Sequence, residues 1–342
     1  MKTVRLSIAG LGNVGRRLLE LIEVKRDLLR ARYDLELRVV VAFDTSGGAE
    51  NRAGLDAAKI IALKREKKGI AAYSQFGRAD RRVIDAARAD ADIFVDLTLT
   101  NLQDGEPGLS ATRTALQNKI NVVSANKGPL VLAYAELAAL ARANGAKILH
   151  SATVTGGLPT LNIGTRDLGA SVIEKFEGIV NGTTNYILAR MTEGQAFDTA
   201  LKHAQEIGMA EADPALDVDG WDAANKLVII ANAVLNYPTT LKDLTVEGIR
   251  EVTQDEIQHA AEHRQVIKLI ASAEKIGNHY RLSVRPTRLE LVHPLAGVGA
   301  GMMAVIYHTD INGTITALIQ EHDPYPTAAA VLRDILQVAS EK

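Results

Sequence analysis

The sequence predicts an α/β protein, with a parallel sheet flanked by helices on both faces and a second region that mixes helices with strands. Three observations lead there. Short β-rich runs alternate with helical patterns through the first half of the chain, as strand–helix–strand units do. A glycine cluster, "GLGNVG", falls between the first strand and the first helix. After His150 the alternation stops, and several helices follow one another before strands return.

Taken in order, residues 4–9 read as a strand and residues 14–29 as an amphipathic helix. Strands follow near 37–43, 93–98 and 120–124, then a helix after "KGPL" and a strand at 147–150. A glycine-rich turn, "TVTGGLP", leads into a helix, and a strand at 172–180 ends in "NGTTN". Helical patterns cover 184–191, 198–207, 222–234 and 254–275. Strands return in "YRLSVRPTRLEL" and "MMAVIYHTD"; the latter turns at Ile311-Asn312-Gly313, a hairpin signal. A last helix begins about Thr327.

At 342 residues the chain has room for two domains. Hydrophobic residues make up 47% and charged residues 23%, ample for a core. Thirty-nine basic and forty-one acidic side chains give a net charge of -2. No basic run is interleaved with aromatics, which argues against nucleic acid as a partner. The longest apolar stretches, such as "KLVIIANAVL", are too short to span a bilayer. The opening "MKTVRLSIAGLG" runs straight into a strand without an export signal. The absence of cysteine rules out disulfides, thiolate zinc sites and a cysteine nucleophile, and suits a reducing cytoplasm. "NGT" at Asn181 and at Asn312 reads as a turn in both places.

Gly10, Gly12 and Gly15 have the G-x-G-x-x-G spacing at a strand-to-helix turn, with Asn13 and Val14 between the last two. The first glycine permits the tight turn, the second lets a pyrophosphate approach the backbone, and the third allows close helix–strand packing. Free N–H groups at the helix start face the anion. The expected cofactor is therefore a dinucleotide. Asp44 closes the second strand, where an acid accepts from the adenosine ribose hydroxyls and repels a 2′-phosphate; the competing reading is a strand-end cap. Arg52 and Lys64 lie near enough in sequence to serve a phosphate, so the reading leans to NAD with NADP left open. Lys127, in "NVVSANKGP", follows a strand at the sheet edge where such folds bind ligands, although a solvated surface lysine is the plainer alternative.

"EADPALDVDGWDAANK", residues 211–226, holds five carboxylates before its one lysine. An EF-hand alignment on Gly220 puts Lys226 where a bidentate glutamate must stand, which excludes that calcium loop. Locally the stretch reads as a loop feeding a helix, with Asp219 as N-cap and Asp222 in the first turn. Asp222 and Lys226 are then four apart on one face, either an exposed ion pair or a site at the start of a buried helix. "HAAEH", His259 to His263, has the spacing of an inverted zinc-peptidase motif but no supporting context, and reads as a solvated helix face.

Together these segments resemble the homoserine dehydrogenases, specifically short forms without kinase or ACT domains. The likeness runs through "GLGNVG", "VDLTLTNLQDGEPG", "NVVSANKGPL", "ATVTGGLPTL", "GIVNGTTNYIL", "AQEIGMAEADPALDVDGWDAANKL", "HPLAGV" and "PTAAAVLRDIL". The resemblance implies a Rossmann-type doubly wound parallel sheet over residues 1–135, completed by the C-terminal helix 326–342. It implies an α+β substrate and dimerisation domain over 136–325, pairing two subunits. It also implies amino-acid biosynthesis through reversible hydride transfer between homoserine and aspartate 4-semialdehyde with NAD or NADP. Lys127 and Lys226 match the catalytic lysines, and Lys127 also joins Gly10, Gly12, Asn13, Val14, Gly15, Asp44 and Thr98 at the cofactor. Glu211, Asp217 and Asp222 match substrate-holding acids, with Gly182 and Thr183 beside the amino acid. In that chemistry a buried lysine moves the alcohol proton as hydride leaves or returns.

Two segments depart from the family pattern. Ser151 stands where relatives carry a glutamate beside a monovalent cation, which weakens a cation site near Val154 and Gly156. "IQEHDPYPTA", residues 319–328, replaces a glycine-rich loop, so Glu321, His322, Asp323 and Pro324 stand where glycines would let backbone approach the cofactor. These departures keep two rivals open: a related dehydrogenase for another small amino or hydroxy acid, and a non-catalytic nucleotide-binding homologue.

Overall fold

A computed structural model describes residues 1–340 of the chain. The chain divides into two compact units, Met1–Gly157 with the segment from Asp323 onward, and Leu158–His322. Among the described residues no helix is long and apolar enough to cross a membrane.

The first unit opens with β1 (Lys2–Ala9), α1 (Asn13–Val24), α2 (Arg26–Tyr33), β2 (Leu35–Asp44), β3 (Gly47–Glu50) and α3 (Ala57–Arg65). It continues through β4 (Gly77–Arg78), α4 (Val83–Ala86), β5 (Ile93–Asp96), α5 (Gly108–Gln117), β6 (Asn121–Ser124), α6 (Lys127–Asn144), β7 (Ile148–Leu149) and α7 (Ala152–Thr155). Its sheet has the order β4-β3-β2-β1-β5-β6-β7. The pairs β1–β2, β1–β5, β5–β6 and β6–β7 are parallel, while β3 and β4 add an antiparallel edge. Strand order reverses at β1, which opens a crevice at the carboxyl ends of β1 and β5. In α1, Gly15, Leu18, Leu19 and Ile22 recur at helical spacing and bury one face.

The second unit runs through α8 (Thr160–Asn162), β8 (Ile173–Ile179), α9 (Gly182–Thr192), α10 (Phe197–Glu206), α11 (Ala215–Val218), α12 (Trp221–Ala233) and β9 (Leu244–Val246). Then come α13 (Gln254–Glu262), β10 (Gln265–Ile276), β11 (His279–Glu290), β12 (Met303–Thr309) and β13 (Gly313–Ile319). Its six strands have the order β13-β12-β8-β10-β11-β9, antiparallel except for β11–β9. The last helix, α14 (Tyr325–Ser340), belongs to the first unit and packs on α1; the remainder of the expected helix, 341–342, lies outside the described residues.

Three expectations are corrected. The helix expected over 14–29 is two helices, because Lys25 caps α1 outside helical geometry. The expected helix 254–275 stops at Glu262; Arg264 takes a left-handed φ of 58°, and β10 begins at Gln265. Residues 267–271 are buried on both strand faces, so the period of two is hidden in that part of the sequence. The N-cap of α12 is Gly220, not Asp219, since φ of 83° there suits glycine. The compact first unit runs through to Gly157, with β7 pairing β6 at the edge of its sheet.

Candidate active site

The glycine turn in the first unit is built as its spacing requires. Gly10 has φ of 99°, and a Cβ there would lie 2.1 Å from the Leu97 carbonyl oxygen, so no other residue fits. A Cβ on Gly15 would meet the Gly10 carbonyl at 2.1 Å, which explains the third glycine as a packing requirement. Gly12 differs: a Cβ there would meet no protein atom within 4 Å. It is also the N-cap of α1, with no side chain bonded to the helix N–H groups. Open backbone at an uncapped helix start fits a pyrophosphate.

Asp44 ends β2 as expected, but its carboxylate is already engaged. Oδ1 accepts from the Ser46 amide (2.8 Å) and hydroxyl (2.6 Å); Oδ2 accepts from Lys64 Nζ (2.6 Å) and the Ile70 amide (3.0 Å). Burial raises its pKa, yet these bonds outweigh it and hold the carboxylate below its usual range. Lys64 is therefore the basic residue beside this acid, whereas Arg52 is exposed in the turn after β3.

At the carboxyl end of β5, Asp96 is fully buried and burial pushes its pKa up. Its oxygens accept from the Thr98 amide (3.0 Å), the Thr98 hydroxyl (2.6 Å) and Asn126 Nδ2 (3.2 Å). Asn126 is also the N-cap of α6, accepting from the Gly128 amide at 3.0 Å. This network fixes Thr98 and makes Lys127 the first residue of α6, half-buried past the end of β6.

Ser151 bonds Asp334 of α14 twice, through its amide (2.7 Å) and its hydroxyl (2.6 Å). Asp334 is buried, and burial raises its pKa despite those two bonds. A carboxyl committed in this way is a poor cation ligand, and Ser151 supplies no carboxylate of its own. Among the described residues no group of three or more His, Asp or Glu side chains is arranged to hold a metal ion. Ser151 and Asp334 are thus committed to each other beside the position near Val154 and Gly156 where a cation is expected. His259 on α13 and His263 just past its end are exposed, with their rings 4.3 Å apart. In place of the glycine-rich loop, Asp323 caps the Tyr325 amide (2.7 Å) and the Tyr325 hydroxyl bonds Glu20 of α1 (2.7 Å).

The acid–lysine set lies in the second unit. Lys226, in the second turn of α12, bonds Asp222 Oδ2 at 2.7 Å and the Val180 carbonyl at 2.6 Å. Its side chain is 12% exposed. The same Asp222 oxygen accepts from Asn181 Nδ2 at 2.9 Å, and Asn181 Nδ2 also donates to Asp217 Oδ1 at 2.6 Å. Asn181 Oδ1 meanwhile caps α9, accepting from the Thr184 amide at 2.8 Å. One amide thus joins Asp217, Asp222 and the turn carrying Gly182 and Thr183. Asp219 stands apart, paired with Arg250. Glu211 is exposed, and its carboxylate has no partner among the described residues.

Asn181 is the site residue that the sequence reading passed over as a turn. Its signal was position: an asparagine immediately before a helix start is a standard cap, and this one has a second, donor end.

Comparison with known proteins places the whole chain in one family. The family profile for homoserine dehydrogenase matches residues 159–336, and that for the homoserine dehydrogenase NAD binding domain matches residues 10–151. The NAD(+)-dependent homoserine dehydrogenase of Pseudomonas canavaninivorans is 36% identical, over 99% of this chain and 97% of the relative. The structure of a putative homoserine dehydrogenase from Archaeoglobus fulgidus superposes with a TM-score of 0.87 at 33% identity, covering 98% of this chain and 99% of the other. A hyperthermophilic archaeal homoserine dehydrogenase in complex with NADPH gives 0.85 at 27% identity, covering 99% and 98%.

Proposed function

Because the chain belongs to the homoserine dehydrogenase family of oxidoreductases, we propose that it interconverts L-homoserine and L-aspartate 4-semialdehyde, with Lys226 moving the alcohol proton. The nicotinamide of NAD or NADP supplies the hydride acceptor or donor when bound. What carries the assignment is the placement of Lys226: a half-buried ammonium held by Asp222 and the Val180 carbonyl, one helix turn after an acid that Asn181 also grips.

In the reductive direction Lys226 donates a proton to the oxygen as negative charge develops on it; in oxidation it receives that proton back. Asp222 and Val180 orient the ammonium so that little reorganisation is needed at the moment of transfer. Glu211 is the carboxylate still available for the substrate's ammonium group, and Asp217 shapes the same wall through Asn181. Lys127 serves the reacting oxygen as a second positive charge. Gly182 and Thr183, at the start of α9, offer backbone N–H groups and a hydroxyl to the amino acid. Gly10, Gly12, Asn13, Val14, Gly15, Asp44 and Thr98 serve the nucleotide. For Asp44, the bonds to Lys64 and Ser46 mean that its charge reaches the ribose already partly compensated, so discrimination against NADP is weaker than an unpaired acid would give.

We also propose a cytoplasmic homodimer. The cysteine-free composition suits that compartment. On the second unit's sheet, Leu282, Val284, Ala271, Phe176 and Val305 are buried. On the opposite face Ile306 and Glu177 are buried, while Ser272, Ser283, Lys175, Thr316 and Leu318 are half-buried or exposed, and it is this more open part that we assign to pairing with a second copy.

The assay is steady-state oxidation of homoserine with each nucleotide, alongside the Lys226→Ala variant. Turnover falls by more than about a thousandfold in the variant, while nucleotide affinity measured by fluorescence stays within about twofold. Near-normal turnover by Lys226→Ala overturns the assignment, and a folded wild type inert on homoserine overturns the reading as a whole.

A further inference from the structure

The second unit contains a lysine that the chemistry above leaves unused. Lys268 lies within β10, and 6% of it is exposed. Burying an ammonium is costly unless partners compensate, yet no carboxylate pairs with this one among the described residues. Its Nζ donates to Asn185 Oδ1 at 2.9 Å and to the Val298 carbonyl at 2.8 Å. Burial brings its pKa down to about 8. An apolar residue would fill this strand position more cheaply, so the two acceptors are the place to look for its use.

Asn185 stands on α9, one turn beyond Gly182. Its Nδ2 donates to the Gly299 carbonyl at 2.6 Å and the Met302 carbonyl at 3.0 Å. Lys268 and Asn185 together therefore hold residues 298–302 by three backbone carbonyls. That segment closes on the start of α9: a Cβ on Gly182 would lie 3.0 Å from the Gly301 carbonyl oxygen. Gly301, at φ of 73°, leaves only 2.9 Å between a Cβ of its own and Met209 Cε. Thr183 fastens the other side, its hydroxyl donating to the Met209 carbonyl at 3.0 Å. At Gly182 an added methyl group would press on the Gly301 carbonyl and ask it to give by a few tenths of an ångström, while at Gly301 the positive φ itself favours glycine.

We propose that Lys268 and Asn185 are positioning residues that clamp the segment 298–302 onto the first turn of α9 and so set the amino-acid-binding wall at Gly182 and Thr183. The inference rests on the reading that homoserine binds beside those two residues. A neutral partner such as Asn185 suits the role, because its amide accepts from Lys268 with one end while donating to two carbonyls with the other. A carboxylate there would satisfy the lysine but lose the loop.

The test is Lys268→Met, which keeps length and apolar contact while removing the donors. KM for homoserine rises roughly tenfold or more, while kcat and KM for the nucleotide stay within about twofold. Amide hydrogen exchange rises at residues 298–302 and 182–184 relative to the rest of the unit. An unchanged homoserine KM in a folded variant overturns the proposal, as does an equal loss in nucleotide and homoserine parameters, which marks general destabilisation. If Lys268→Met does not fold, Asn185→Ala is read by the same measures. If the wild type does not turn over homoserine, the functional reading fails separately, and the exchange pattern alone decides whether the clamp exists.

Discussion

Replacing Asn181 by aspartate exchanges one NH2 group for an oxygen and leaves the α9 cap in place, since the capping atom is the other oxygen. The exchanged group donates to Asp217 at 2.6 Å and to Asp222 at 2.9 Å. Hydrogen bonds to charged groups contribute about 1.5–3 kcal/mol each, so losing both removes roughly 3–6 kcal/mol. Two carboxylate oxygens at such separations also repel by about 6 kcal/mol at an effective dielectric near 20. Lys226, already bonded to Asp222 at 2.7 Å, offsets part of that repulsion. The cheaper outcome is that the new carboxyl keeps its proton near neutrality and donates one bond in place of two.

At pH 7 the net loss is then about one charged bond, or roughly 1.5–3 kcal/mol, which lowers kcat/KM for homoserine by about 10- to 150-fold. Raising the pH removes the shared proton, so the deficit grows relative to wild type between pH 7 and 9. The assay is kcat/KM for homoserine across that range, with thermal melting at each pH. A variant within about threefold of wild type at pH 9 would refute the view that Asn181 organises the acids around Lys226.

Three further perturbations follow from the same structure. Gly12→Ala leaves the melting temperature nearly unchanged and weakens nucleotide binding by about tenfold or more, because its Cβ meets no protein atom within 4 Å and stands where a pyrophosphate approaches. Gly10→Ala does the opposite and destabilises the fold itself, with its Cβ 2.1 Å from the Leu97 carbonyl; calorimetry and a nucleotide titration separate the two, and equal effects on both quantities would contradict the distinction. His150 is buried in the first unit with Nδ1 unpartnered, and burial lowers its pKa to about 4. Between the unfolded value near 6.5 and that folded value only the unfolded chain binds the proton, so stability is present above pH 6.5 and lost as pH falls toward 4. The span corresponds to about 3 kcal/mol, and His150→Phe, which keeps a ring against Tyr134, removes that share of the acid sensitivity in urea titrations. Parallel pH profiles for wild type and variant would show that His150 does not titrate in this way.

Local signals had most force where one segment contains its own reason. The glycine spacing at Gly10, Gly12 and Gly15 is legible because turn, helix start and close packing all lie within six residues. Asp222 and Lys226 are likewise four apart on one helix, so their pairing is a property of the sequence once the helix forms. The strand β10 was hidden for the opposite reason. Ile267 to Ala271 is buried on both strand faces, so it is an apolar run with one lysine in it. Asp219 and Gly220 were misassigned as cap and follower because the deciding fact is a backbone angle, 83° at Gly220.

The sequence by itself determined the α/β class and the glycine turn between the first strand and helix, since each depends on residue type at short spacing, while the set of acids and lysines was indicated by the resemblance to the family. The tertiary structure decided what those side chains are bound to. Asp44 is committed to Lys64 and Ser46, Ser151 to Asp334 across 183 positions, and Lys268 to Asn185 across 83. Asn181 gathers Asp217 and Asp222, 36 and 41 positions away. Most buried polar atoms find a partner, but spacing along the chain does not say which one; only the packing that brings distant strands and helices together makes that choice.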